Sequence, residues 1–73
     1  MPRLPVTSGE NVVKALAKIG YRCIRRRASH IRLSCPNKRS ITIPDYDSVG
    51  RGLLRKILRD AELSVEEFHK LLK

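Results

Sequence analysis

The chain has 73 residues, with sixteen Lys and Arg against seven Asp and Glu for a net charge of +9. A chain this short is expected to be one domain over 1–73 that buries about 60% of its unfolded surface, which excludes a deep substrate cavity. No stretch approaches the ~20 apolar residues of a membrane span and no basic segment leads into an apolar one, so a cytoplasmic protein without membrane contact is expected, its charge directed at a polyanion and at nucleic acid first.

Met1 to Val6, with Pro2 and Pro5, reads as an extended lead-in. Thr7-Ser8-Gly9-Glu10 has the Thr-x-x-Glu spacing of a capping box, in which each end satisfies one free amide at a helix start. Val12, Val13, Leu16, Ala17 and Ile19 fall on one helical face, and Lys14 and Lys18 fall on another. Gly20 then stands where a left-handed residue would close that helix.

Tyr21 to Leu33 reads as two short strands joined tightly at Ala28-Ser29. Five arginines and His30 fall within these thirteen residues, and no Asp or Glu occurs between Glu10 and Asp45. In the second strand Ile31, Leu33 and Cys35 alternate with His30, Arg32 and Ser34, which assigns the first set to the core and the second to the open face. In the first strand, Tyr21 and Cys23 inward puts Arg22, Ile24 and Arg26 on the open face, and a bulge at the turn would swap them.

Pro36-Asn37-Lys38-Arg39 is a turn, and Ser40 to Ile43 is a third strand with Ile41 and Ile43 inward. Pro44 cannot donate to a ladder and ends it. Asp45 to Gly50 is a polar loop, after which Leu53, Leu54, Ile57, Leu58 and Ala61 form the buried stripe of a second helix. Arg51, Arg55 and Arg59 recur every four residues on another face, with Lys56 beside them. Ser64-Val65-Glu66-Glu67 is a second capping box, opening a short helix whose apolar side is Phe68, Leu71 and Leu72.

The order helix, three strands, helix, helix predicts an α+β fold of two layers: a three-stranded antiparallel sheet with helices on one face. Cys23 and Cys35 are expected as reduced core residues. Neither has a second cysteine at finger spacing, and His69 lies far along the chain, so no metal site is expected. No phosphate-binding glycine loop, dinucleotide fingerprint or Ser/His/Asp set is present, and no cofactor is expected.

Several of these residues, in this order, resemble the HicA family of small toxins. The marks are Gly20-Tyr21 after the first helix, Arg25 on the first strand and Ser29-His30 opening the second. Ile43-Pro44 closing the third strand and Gly52-x-Leu54-Arg55-x-Ile57-Leu58 in the second helix complete the pattern, which covers Thr7 to about Phe68. The resemblance implies a fold similar to the double-stranded-RNA-binding domain, cleavage of messenger RNA, a HicB-like antitoxin as partner, and His30 as the catalytic residue. Three positions depart from it: Ala28 replaces the usual glycine, Tyr46 replaces a second histidine found in many members, and Leu53 replaces the common threonine.

RNA carries its own nucleophile, the 2′-OH, next to the phosphate it attacks. Cleavage without metal needs a base for that proton, cations for the charged phosphorane and an acid for the leaving 5′-oxygen. His30 is the base that the resemblance implies; Tyr46, a water and His30 itself are the candidates for the acid. Arg25, Arg26, Arg27 and Arg32 suit the phosphorane by charge and bidentate geometry, with Ser29 beside them, and Arg51, Arg55, Lys56 and Arg59 suit phosphates across an RNA groove. The alternative is a non-catalytic double-stranded-RNA-binding module in which His30 contacts a phosphate or a 2′-OH. A DNA-binding regulator is weaker, because the second helix offers Arg51 but no Asn or Gln to read bases. A pure interaction module would be indifferent to His30. The free protein is expected to be a monomer.

Overall fold

A computed structural model describes residues 4–72. The elements run α1 (Gly9–Ala17), β1 (Arg22–Arg27), β2 (His30–Ser34), β3 (Ile41–Pro44), α2 (Arg51–Asp60) and α3 (Val65–Leu71). The sheet is an antiparallel meander in the order β1-β2-β3, so every strand lies beside its neighbour in sequence. This is the expected α+β fold in the expected order. The part of the lead-in before Leu4 lies outside the described residues, and Leu4 itself is buried in the core.

The start of α1 differs from expectation by one residue. Ser8, not Thr7, is the N-cap, and its hydroxyl oxygen accepts from the Asn11 amide at 3.1 Å. Thr7 is buried instead in a single antiparallel bridge, its carbonyl accepting from the Val49 amide at 2.8 Å. That bridge holds Thr7 in extended backbone, and Glu10 turns outward to Lys14 at 3.7 Å. Val12, Ala15 and Leu16 are the buried residues of the apolar face; Ala17 is exposed, while Val13 and Ile19 are half-buried.

The end of α1 is as expected. Gly20 has φ +107°, the Tyr21 amide reaches back to the Leu16 carbonyl, and the Gly20 amide reaches the Ala17 carbonyl, each at 3.2 Å. This pair of bonds satisfies carbonyls that a helix end leaves open. The end of α2 closes in the same way without a glycine: Glu62 has φ +60°, with Leu63 bonded to Leu58 at 2.9 Å and Glu62 to Arg59 at 3.1 Å. The β2–β3 connection is a tight turn with Pro36 second, Asn37 at φ +66° third, and the Lys38 amide on the Cys35 carbonyl at 3.1 Å.

Helices α1 and α2 pack on β3, and α1 also packs on α3. The core between the layers gathers Val12 and Leu16, Ile31 and Leu33, Ile41 and Ile43, Leu54, Ile57 and Leu58, and Phe68. Phe68 is held in place by the expected capping box of α3, where Ser64 and Glu67 exchange two hydrogen bonds of 3.1 Å. Those bonds hold the Glu67 carboxyl below its usual range. Lys18, the C-cap residue of α1, donates to the Leu71 carbonyl at 2.7 Å and ties the first helix to the last. Among the described residues no helix is long and apolar enough to cross a membrane.

Two expectations about burial fail. Cys23 is exposed, not core, and Leu53 is 40% exposed, outside the buried stripe of Leu54, Ile57 and Leu58. The helical layer lies over β3 and leaves all six residues of β1 open to solvent. Cys35, nearer the helices, is buried as expected, and both thiols are free.

Candidate nucleic-acid interface

The register of the sheet decides which cations share a surface. Residues directly opposite each other in an antiparallel pair project to the same side. Arg25 lies opposite Arg32, Arg27 opposite His30, and Arg22 opposite Ser34. Across the other seam, His30 lies opposite Pro44 and Arg32 opposite Thr42. Ile31 and Leu33, buried at 0% and 1% exposure, mark the helix side, so the open side carries Arg22, Arg25, Arg27, His30 and Arg32.

This arrangement depends on one extra residue. The register shifts between Cys23 and Arg25, so Ile24 is the inserted residue of a β-bulge and stands 61% exposed. Without it, Arg25 and Arg27 would point toward the helices. With it, only the residues after Ile24 change side: Arg26 goes to the helix side opposite Ile31, while Arg22 keeps the outward place that alternation predicts, and no bulge forms at the turn. There its guanidinium donates to the Asp45 carboxylate at 3.1 Å. Both partners are about half exposed, so the pair contributes at most about 1 kcal/mol; its effect is to tie the hairpin to the loop after β3.

His30 is exposed at the start of the central strand. Its surroundings are fixed by backbone more than by side chains. The Asp45 amide donates to the Ser29 carbonyl at 2.7 Å, joining the hairpin turn to the end of β3. Gly9 lies against that same end: a β-carbon built there would stand 1.9 Å from the Pro44 carbonyl oxygen, which only glycine avoids. The Gly9 amide donates to the Tyr46 carbonyl at 2.8 Å. Thus the first residue of α1, the end of β3 and the hairpin turn brace one another around His30. Tyr46 sits on the loop beyond Pro44 with half its surface exposed.

The turn itself is strained. Ala28 has φ +53°, a left-handed conformation that costs an alanine about 1–2 kcal/mol. On the far side of His30, the Arg32 guanidinium donates to the Thr42 hydroxyl at 3.0 Å and is thereby aimed toward α2. Thr42 is the member of this face that the sequence reading misses. Thr42 was available from alternation, since Ile41 and Ile43 inward leave it outward. Arg22, outward by alternation, lies on the open face as expected.

The basic residues of α2 divide. Arg51, Arg55, Lys56 and Arg59 are all exposed. Lys56 joins the sheet surface through an open groove of about 230 Å³ lined by Arg32 and Thr42 on one wall and Leu53, Lys56 and Asp60 on the other. Lys56 and Arg59 border a second depression with Arg39 and Asp60. Arg51 and Arg55 line neither, so α2 carries one cation on the groove beside the sheet, one toward the β2–β3 turn, and two away from both depressions.

The resulting surface is a strip of guanidinium groups around one imidazole, with no Asp or Glu in any of the three strands. Such a strip attracts polyanions and presents several bidentate donors to phosphate. A family model described as HicA toxin of bacterial toxin-antitoxin matches residues 9–63, about three quarters of the chain. The matched span begins at the braced Gly9 and takes in the whole sheet and α2. No curated protein matches the chain.

Proposed function

We infer the function of this chain from one premise: it belongs to the HicA family of toxins from bacterial toxin–antitoxin systems. On that premise the basic strip is an RNA-cleaving surface, and the protein is an endoribonuclease that acts on messenger RNA. The observation that carries the reading is the position of His30, exposed between Arg27 on one strand and Pro44 on the other, with Arg32 two residues along the same face.

In this reading the phosphate of one linkage rests among Arg25, Arg27 and Arg32. His30 takes the proton from the adjacent 2′-OH, whose oxygen attacks the phosphorus. The arginines stabilise the doubly charged phosphorane, the 5′-oxygen leaves with a proton, and a 2′,3′-cyclic phosphate and a 5′-OH remain. General acid–base help of this kind supplies roughly 10²–10⁴-fold, which suits a slow toxin acting on a linkage that holds its own nucleophile. Asp45, on the loop after β3, is held by Arg26 and so engaged in bracing the hairpin. Cleavage is accordingly assigned to side chains alone, without metal. Arg51, Arg55 and Arg59 hold more distant phosphates, and a HicB-like antitoxin neutralises the toxin by laying acidic residues over residues 25–32.

The test is His30→Ala. Growth inhibition and RNA cleavage should both disappear while the thermal unfolding midpoint stays where it was, because an exposed residue on a sheet face holds little of the core. Cleavage by the wild-type protein should persist in EDTA. A variant that still cuts RNA, or an activity that returns only with added magnesium, sinks this mechanism.

A further inference from the structure

The groove between β3 and α2 has a composition unlike the rest of the basic surface. Ile41 and Ile57, almost fully buried, form its floor, and the exposed Leu53 forms an apolar lip. Ser40 and Thr42 contribute hydroxyls, Arg32 and Lys56 contribute cations, and Asp60 contributes a carboxylate. Lys56 and Asp60 are four apart on α2 and so rise on the same side of it. Among the described residues, neither side chain makes a hydrogen bond or an ion pair.

The carboxylate is placed against the helix's own field. Asp60 is the last residue of α2, where the carbonyl ends carry partial negative charge, and Arg51 stands at the opposite, positive end. Both charges are reversed from what the helix would favour. Departures from local preference of this kind are expected at functional or strained positions. Meanwhile the groove's far end is tightly fixed: Lys38 donates to the Ala61 carbonyl at 2.9 Å, and the Tyr21 hydroxyl donates to the Arg39 carbonyl at 3.0 Å. The wall that carries Asp60 is therefore pinned to the turn that precedes Ser40.

The groove also lies in line with the proposed reaction centre. Arg32 is two residues from His30 on the same face of β2, about 7 Å along the strand. A single strand running from His30 toward α2 would pass Arg32 and lay its next base over the groove. At about 230 Å³ the groove falls below the roughly 300–1,000 Å³ of sites for drug-sized ligands and suits one planar base.

We propose that this groove receives one unpaired guanine base of the RNA, and so sets the sequence preference of cleavage. The proposal rests on the RNA-cleaving reading above. Guanine is the base whose pairing edge offers two adjacent donors, N1–H and the exocyclic amine, and a carboxylate accepts both. Asp60 is that acceptor. The Lys56 ammonium donates to the neighbouring O6, and the apolar faces of the ring rest on Leu53 and the floor. Adenine and cytosine each give Asp60 a single amine donor, and uracil would set an acceptor against the carboxylate.

The experiment measures binding of the wild-type protein to short single-stranded 2′-O-methyl oligoribonucleotides, which lack the attacking hydroxyl and stay intact. Oligonucleotides differing at one base should bind with about a tenfold preference for guanine, as a bidentate contact provides. Asp60→Asn should reduce that preference to within about twofold while leaving the salt dependence unchanged, because the phosphate contacts remain. Leu53→Ala should weaken binding of every base and keep the ranking. No preference in the wild type, or an undiminished preference in folded Asp60→Asn, overturns the groove as a guanine site and leaves the RNA reading standing on His30→Ala. Failure to bind any of these oligonucleotides at low salt overturns both.

Discussion

Arg25 and Arg32 lie directly opposite each other across β1 and β2, two like charges in register on an exposed sheet face with no carboxylate among the strands to separate them. Directly opposed like charges cost a sheet a few tenths to about 1 kcal/mol. Arg25→Gln should therefore leave the unfolding free energy unchanged or raise it by a few tenths of a kcal/mol in urea titration. RNA affinity should fall at the same time, and the log–log salt slope should become shallower by about 0.7 as one phosphate contact is lost. A variant that loses stability along with binding would show that the two guanidinium groups are tolerated for structural reasons.

Ala28 at φ +53° and Glu62 at φ +60° each occupy a conformation that glycine enters freely. Ala28→Gly and Glu62→Gly should each stabilise the domain by about 1 kcal/mol, raising the melting temperature by roughly 4–8 °C for a domain of this size. One sits in the hairpin turn and the other after α2, so the double variant should show close to the sum. Calorimetry of the four proteins checks it.

Gly9→Ala has the opposite expectation. Its methyl would meet the Pro44 carbonyl oxygen, a backbone atom with nowhere to retreat. The loss should be about 3 kcal/mol or more, with the strand end beside His30 displaced. Amide spectra should therefore shift most around 29–31 and 44–46, and RNA cleavage should fall further than the residual folded fraction explains.

Tyr21 is buried, and its hydroxyl is held above the usual tyrosine pKa, first by burial and then by the charges of Cys35, Glu62 and Asp60. The neutral phenol is the form the fold prefers. Its contribution is complete below pH 10 and disappears as pH rises through the raised folded value. Tyr21→Phe removes the bond to the Arg39 carbonyl and should cost about 1 kcal/mol at neutral pH. The difference between wild type and variant should shrink on the alkaline side. Chemical denaturation of both proteins from pH 7 to 11 measures it.

Features set by a few adjacent residues were legible in the sequence. The Ser64–Glu67 box, the closure of α1 at Gly20 and the alternation of β2 follow from spacing and local hydrogen bonding, and all three form. What sequence left open depends on contacts between distant segments. Thr7 fits a cap as well as Ser8 does, and only the bridge to Val49 chooses. Cys23 has the composition of a core residue, and its exposure follows from how far the helices reach across the sheet. The basic strip was legible as charge but not as a surface: five arginines near His30 are visible in the sequence, yet the bulge at Ile24 decides that Arg25 and Arg27 join it while Arg26 does not.

The open edge at β1 has a consequence for how this protein behaves in company. A six-residue strand with one unpaired side is a template on which another chain could add a strand. Here four of the six residues are arginines, and a bulge interrupts the regular spacing a partner strand would need. A second copy approaching this edge meets the same four charges. Self-stacking is repelled at its first step, and refolding from denaturant at high concentration should yield dispersed molecules where a neutral edge would seed fibres.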